Sequence, residues 1–408
     1  MFDIITYTFL FVALFFEVFL LVTFVERKMA RRLAPSAESS TQELPSVCIV
    51  VPCFNEEKTL VNSLGSLLSL DYPKEKIAII VVNDGSTDQT QGIAEAFVPQ
   101  NNITILRKEN GGKHSALNLA LANTNAELIG CLDADSTVAP NALRAVVRAF
   151  QNPDVAAVTP GILVRKPETL LQHIQNVEYR ISIFNRYILS AIGSAFITPG
   201  PFSIFRARVV RELGGWRHGH STEDMELALR MQAFGHLIAN APGATVHTTT
   251  PRTLRALFRQ RVRWTYGFMR NALDYRRLFF TRSYGNLGIL VLPTAIISII
   301  AALYFFARIL WHGAVSALET YTRVQLTGFL PFPSFEMYYV NTSAVLFLVY
   351  IAILLIVALI GAGSLIGEGR VRLPRSTILF LLCYGFLAPM WLGTAVVRAL
   401  LGAGVRWR

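Results

Sequence analysis

Four blocks of this 408-residue chain are apolar enough, and long enough, to decide its architecture before any motif is considered. Residues 9–25 are uninterrupted except for Glu17, and blocks 286–310, 342–366 and 377–401 follow. Each has about the twenty residues that a helix needs to cross the hydrocarbon core of a bilayer. They raise the hydrophobic fraction to 52% and the mean hydropathy to +0.43, although residues 46–250 have ordinary globular composition. The expected organisation is a membrane helix over 1–26, a linker over 27–45 and a soluble domain over 46–250. A basic amphipathic stretch (251–285) and a membrane region of about three helices (286–408) complete it.

The first block is expected to be retained rather than cleaved as a signal peptide. It opens without a basic segment and ends in ERKMARR with no small-residue cleavage site. That basic flank places the soluble domain on the cytoplasmic side of a cell (inner or plasma) membrane. Four crossings put the loop EGRVRLPR (368–375) on the same side, but leave the terminal GVRWR outside, against the charge rule. The competing expectation is that Pro389 breaks the last block before it crosses. The net charge of +11 does not point to nucleic acid, because the arginines cluster beside the apolar blocks, where anionic lipid headgroups lie. The four cysteines show no metal-ligand spacing and are expected to be reduced thiols.

Within the soluble part, strand and helix patterns alternate four times. VCIVVP (47–52), IAIIVVNDGS (77–86), ITILRK (103–108) and ELIGCLDADS (127–136) are strand-like, with helical spacing between them. Such alternation predicts an α/β domain with a mostly parallel, Rossmann-like sheet. Ligands bind such sheets at the carboxyl ends of the strands. The polar clusters PCFNEE, NDGSTD and DADS all fall there. Beyond residue 150 the pattern loosens. An aromatic amphipathic helix is expected over 168–189, a Gly/Pro turn with a short strand over 197–210, and a helix over 221–235.

Asp133 and Asp135 stand two apart at a strand exit, a spacing that lets both carboxylates meet one hard cation. Turn-forming aspartates give the same pattern. Asp84 suits either a helix cap or a nucleoside contact. NGGKHSALN (110–118) resembles a phosphate loop but has Arg107 and His114 where a glycine and a hydroxyl residue are required. Lys113 at a helix start can still neutralise a diphosphate. Thr222, Glu223 and Asp224 fit a helix cap as well as a general base. His218 and His220 are expected to be exposed loop residues, while His247 is left open as a metal or phosphate ligand.

Taken in order, VPCFNEE, NDGSTD, NGGKHSALN, DAD, TED and QRVRW, followed by membrane helices, resemble the processive, membrane-integrated family 2 glycosyltransferases. Those include cellulose, chitin and hyaluronan synthases and the poly-N-acetylglucosamine and chitooligosaccharide synthases. The resemblance implies a GT-A transferase domain joined to an α-helical transmembrane bundle. It places Pro52, Asn55, Glu56 and Asp84 at the uridine, and Lys113 and Asp133 at the diphosphate and donor sugar. Asp135, with Asp133, would hold Mg2+ or Mn2+. Asp224 would be the catalytic base, and Gln260, Arg263 and Trp264 would close the site.

The implied reaction polymerises a β-linked polysaccharide from a UDP-sugar, UDP-N-acetylglucosamine first and UDP-glucose second. The growing glycan is the acceptor, membrane lipids surround the bundle, and an accessory membrane subunit is a further partner to be expected. Asn341, Tyr350, Tyr384, Trp391 and Arg398 are candidates to line an exit path. In and around QRVRW (260–264), Arg259, Arg261 and Arg270 are expected on the membrane surface, while Gln260, Arg263 and Trp264 share one helix face towards the site. Two alternatives stand: transfer of one sugar to a lipid carrier, and a transporter carrying a degenerate transferase domain.

Overall fold

The computed structural model describes residues 2–33, 43–100, 102–329 and 343–403. The chain opens with helix α1 (Phe2–Leu33), which runs past the expected linker boundary into its basic flank. A three-layer domain follows: β1 (Val47–Cys53), α2 (Leu60–Leu68), β2 (Ile77–Asp84), α3 (Thr90–Ala96), β3 (Ile103–Lys108), α4 (Lys113–Ala122) and β4 (Leu128–Cys131). Next come β5 (Ser136–Val138), α5 (Ala142–Ala149), β6 (Val155–Val164), α6 (Leu170–Ala191), β7 (Ile204–Arg206), α7 (Ala207–Glu212), α8 (Glu223–Ala233) and β8 (Leu237–Thr248). The last helices are α9 (Leu254–Asp274), α10 (Leu292–Thr327), α11 (Ala344–Glu368) and α12 (Thr377–Leu400).

The four strands expected from sequence form the parallel half of an eight-stranded sheet, in the order β3-β2-β1-β4-β7-β6-β8-β5. The other half is mixed: β7 runs antiparallel to β4 and β6, and β5 antiparallel to β8. Side chains alternate across β1 as a strand period demands. Val47, Ile49, Val51 and Cys53 enter one core with Leu60 and Leu64 of α2 and Val146 of α5. Cys48 and Val50 enter the other with Leu117 of α4, Val210 of α7 and Leu227 of α8. Both faces are therefore covered, and the strands' carboxyl ends are left open.

Two amphipathic helices join this domain to the apolar ones. Thr169 and Gln172 cap α6 reciprocally. Gln172 and Gln175 then donate to the carbonyls of Thr250 and Pro251, fixing α6 against the chain that enters α9. α9 packs along α12, where Leu257, Val262 and Tyr266 meet Trp391, Ala395 and Ala399. α6 meets α11 through Arg180, whose guanidinium donates to Ser364 and Glu368, each at 2.7 Å.

Among the described residues four helices are long and apolar enough to cross a membrane, and the chain is a membrane protein. α10 continues about 54 Å, well beyond a bilayer core, because its second half turns polar at Glu319, Arg323 and Gln325 and stays helical until Gly328 in a left-handed cap. α12 runs unbroken through Pro389, so that residue does not interrupt the last block; neighbouring helices make such prolines tolerable. Trp391 is buried against α9. Tyr350 and Arg398 lie on exposed faces, and Asn341 is outside the described residues.

The α6–α11 contact depends on a missing side chain. A Cβ on Gly363 would stand 2.0 Å from the Arg180 carbonyl oxygen, whereas one on Gly361 meets only a Val371 methyl at 3.5 Å. Small residues let helices approach this closely. Gly363→Ala is expected to cost about 1–3 kcal/mol, seen as a lower thermal midpoint in detergent, and Gly361→Ala to leave that midpoint unchanged.

Candidate active site

The carboxyl ends of β1, β2 and β4, the first turns of α4 and α8, and one face each of α6 and α9 enclose a cavity of about 530 Å³. Pro52, Glu56, Asp84, Lys113, Asp133, Asp135, Asp224, Gln260, Arg263 and Trp264 all line it. Asn55 does not. Its side-chain oxygen accepts from the Thr87 N–H at 2.9 Å and its own N–H donates to Ser86, so it ties two strand-exit loops together. Its backbone sits at φ +57°, a conformation that asparagine tolerates better than most residues.

Asp84 is held rather than free. It pairs with Lys108 at 2.7 Å and accepts the N–H groups of Gly111 and Gly112 at 3.0 and 2.8 Å. The NGGK segment is thereby wrapped around a carboxylate and delivers Lys113 at the start of α4. The cap on α3 falls instead to Asp88, which accepts from the Thr90 N–H at 3.0 Å.

Lys113 is buried between two acids, paired with Asp133 and 3.5 Å from Glu223. Burial alone would lower its pKa; Asp133 and Glu223 hold the ammonium well above its ordinary value. A Cβ on Gly200 would come within 2.2 Å of the Lys113 nitrogen and 2.8 Å of Asp133, so the loop after α6 closes tightly over this pair and a larger residue would displace it. Asp135 takes a hydrogen bond from the Ser136 hydroxyl at 3.0 Å. Burial, with Asp133 adding like-charge repulsion, pushes its carboxyl up to about 6.

Asp224 stands across this cradle in the first turn of α8. Burial and the neighbouring Glu223 raise its carboxyl to about 6, while Lys113 and Arg263 pull the other way. The Thr222 hydroxyl donates to Gly219 and accepts from Asn271, so it does not cap the helix. On α9, Gln260, Arg263 and Trp264 share the face that lines the cavity, as their spacing predicts. Arg263 donates to the Ser221 carbonyl at 3.2 Å, holding α9 against the turn that leads to Asp224.

Arg261 corrects the sequence expectation. It is 4% exposed, not on the membrane surface. Its guanidinium pairs with Glu178 of α6 at 2.6 Å, donates to the Gln260 oxygen at 2.8 Å, and lies 4.3 Å from the Trp264 ring centre. Tyr384 of α12 donates to the same Glu178 oxygen, so it too is tied to the cavity wall. Arg259 is exposed and Arg270 half-buried.

Sequence reasoning missed the contribution of α6. Glu178, Tyr179, Ser182 and Arg186 reach the cavity from one side of that helix. The polar 178-182-186 stripe, spaced by four along one side of the amphipathic helix, is the signal that would have found it. It also missed the place of Glu223 beside Lys113. His247 does not line the cavity; it faces away in β8, opposite Thr137 in register, while Thr248 faces in. His218 is exposed and His220 lies 2.7 Å from Asp274.

Two half-sites therefore meet in one cavity: a lysine between strand-exit acids, and a raised carboxyl beside an arginine and an indole. Comparison with known proteins fits that chemistry. The family described as glycosyltransferase-like family 2 matches residues 45–267, more than half of the chain. A poly-beta-1,6-N-acetyl-D-glucosamine synthase of Staphylococcus epidermidis is 32% identical over 248 residues, 60% of this chain and 59% of that protein. Its namesake from Staphylococcus aureus strain COL is 31% identical over 245 residues, 59% of each chain. The chain thus spans less than two thirds of the length of these relatives. A mannosyltransferase from Pyrobaculum calidifontis, solved in complex with GDP-Man and Mn2+, superposes over 99% of this chain and 100% of its own. Its TM-score is 0.65 at 19% identity, a likeness of fold. The mixed sheet, its open strand ends and the matched segment agree: this is a GT-A domain on a membrane-helix bundle, and the chain belongs to glycosyltransferase family 2.

Proposed function

We propose that the chain is a membrane-bound, inverting glycosyltransferase that builds a β-linked polysaccharide from UDP-N-acetylglucosamine. The observation that carries this reading is the placement of Asp224, Arg263 and Trp264 in the same cavity as Lys113, Asp133 and Asp135. The choice of sugar follows the names of the staphylococcal relatives.

In this reading Lys113 and Arg263 face the diphosphate, Asp84 and Glu56 border the uridine, and Trp264 offers a flat face to the acceptor sugar. The acceptor hydroxyl attacks the anomeric carbon from the side opposite the UDP oxygen. Asp224 takes its proton as that carbon–oxygen bond breaks. One in-line displacement inverts the centre, turning an α-linked donor into a β-linked product.

A divalent cation fits the donor set. Asp133 and Asp135 are hard oxygen ligands, and burial, with Asp133 beside it, raises the carboxyl of Asp135, a cost that a bound cation would relieve. Among the described residues no three metal-binding side chains converge, so the remaining ligands would be diphosphate oxygens and water. Bound there, Mg2+ or Mn2+ would stabilise the charge that develops on the departing diphosphate. α6 and α9 form the cavity wall and pack directly on α11 and α12, which supports passage of the product through the bundle. The basic flank of α1 supports a cytoplasmic catalytic domain in the cell membrane.

Product sizing tests the polymer. Purified chain with Mg2+ or Mn2+ and labelled UDP-N-acetylglucosamine should yield a ladder that EDTA abolishes. Transfer of a single residue to a lipid, or polymer from UDP-glucose alone, would overturn the assignment.

Asp224→Asn is expected to lower transfer by about 10²–10⁴-fold, the usual worth of a general base. The raised carboxyl also predicts a stability effect of definite sign. The folded chain binds this proton more tightly than the unfolded chain, so the contribution is full below the ordinary carboxyl range, is lost as pH rises from there through about 6, and changes no further above it. The ligand-free Asn variant should therefore melt no lower than the parent at pH 7.5. In the parent, kcat/KM should rise with pH around a midpoint near 6, since only the ionised carboxylate accepts a proton.

A further inference from the structure

One charged group in the cavity has no part in the reaction drawn above. Arg186 lies two turns along α6 from Glu178. Its Nη1 donates to the Ser182 hydroxyl at 2.6 Å, but its Nε and Nη2 are buried without a partner. Those two nitrogens form one edge of the guanidinium fork, which presents parallel donors to a pair of oxygens. A buried cation is costly unless its hydrogen bonds are met. Burial drops its pKa to about 10, and the only group opposing that shift is the Tyr179 phenol. The donor-side acids Asp133 and Glu223 are instead paired with Lys113.

The location indicates what arrives there. Phe184 and Tyr187, flanking Arg186 in sequence, pack against Leu20 and Phe24 of α1. The loop after α6 brings Ile197 and Pro199 to the cavity wall, and its Thr198 bonds to the backbone of Asp224. Arg186 therefore stands where the cavity meets the membrane helices, removed from the lysine–aspartate cradle. We propose that Ser182 and Arg186 form an acceptor subsite, binding oxygens of an uncharged sugar unit behind the transfer point and rejecting a protonated amino sugar. This rests on the polymerase reading above. The open edge of the guanidinium donates to hydroxyl and acetamide oxygens; an ammonium in the same place meets a like charge with no anion between them.

The test uses the full chain in lipid nanodiscs, with UDP-N-acetylglucosamine and short acceptor oligomers either N-acetylated or with free amines. Arg186→Gln is expected to raise the acceptor KM roughly tenfold, the worth of one charge-assisted hydrogen bond, without changing the donor KM. It should also narrow the preference for acetylated over amine acceptors. Arg186→Lys should keep that preference while losing affinity, and Ser182→Ala should raise the acceptor KM less. Unaltered acceptor kinetics in Arg186→Gln and Ser182→Ala would overturn the subsite. So would a donor KM that rises in step, or an effect confined to a polyprenyl phosphate acceptor. A wild-type chain that makes no polymer would overturn the polymerase reading as well, which separates the two failures.

Discussion

The arrangement turns on one carboxylate. Glu178 of α6 accepts from Arg261 of α9 and from Tyr384 of α12 through the same oxygen. That contact joins the domain's interfacial helices to a membrane helix at the cavity wall. A pair this enclosed is weak evidence for stability, since desolvation offsets much of the attraction, but breaking it leaves a charge stranded. Its structural consequence is geometric. Arg261, once fixed, stacks on Trp264 and bonds to Gln260, so two residues of the Q-x-x-R-W motif are oriented by the residue between them. The transferase wall and the bundle thereby form one body, which is what a chain handed from site to membrane would require.

The cavity's electrostatics follow from crowding acids at strand ends. Asp133, Asp135, Glu223 and Asp224 all reach it, while Lys113 bridges only Asp133 and Glu223. Burial first, and the neighbouring acids second, raise the carboxyls of Asp135 and Asp224. Buried like charges destabilise a ligand-free fold and suit one that binds a cation with a diphosphate. A general base also benefits from a pKa nearer the working pH. The same crowding that costs stability thus prepares both halves of the site.

Much of this was legible in the residues. The parallel strands announced themselves as continuous apolar runs, and the polar clusters at their ends marked the cavity. The mixed half was less legible, although the short strand expected within 197–210 is β7. β5 and β7 are three residues each, and β6 and β8 carry Pro160 and Pro242 inside long pairings with a register shift, so no clean period survives. Pro389 looked like a break because proline removes a helix hydrogen bond, a local rule that packing against α9 and α10 overrides. Arg261 was misplaced for a related reason. The nine arginines of residues 252–282, beside an apolar block, suggest headgroups, and the tertiary approach of Glu178 turns one of them inward. Family resemblance supplied roles for the motif residues, but it was silent on α6, whose polar stripe belongs to no motif.

A structure of the full chain in nanodiscs with UDP and Mn2+ bound tests the central claim most directly. The account predicts the diphosphate between Lys113 and Arg263, the cation on Asp135, and the Trp264 face left open to the acceptor beside Asp224. Nucleotide bound outside this cavity, or a cation held away from Asp133 and Asp135, would contradict it.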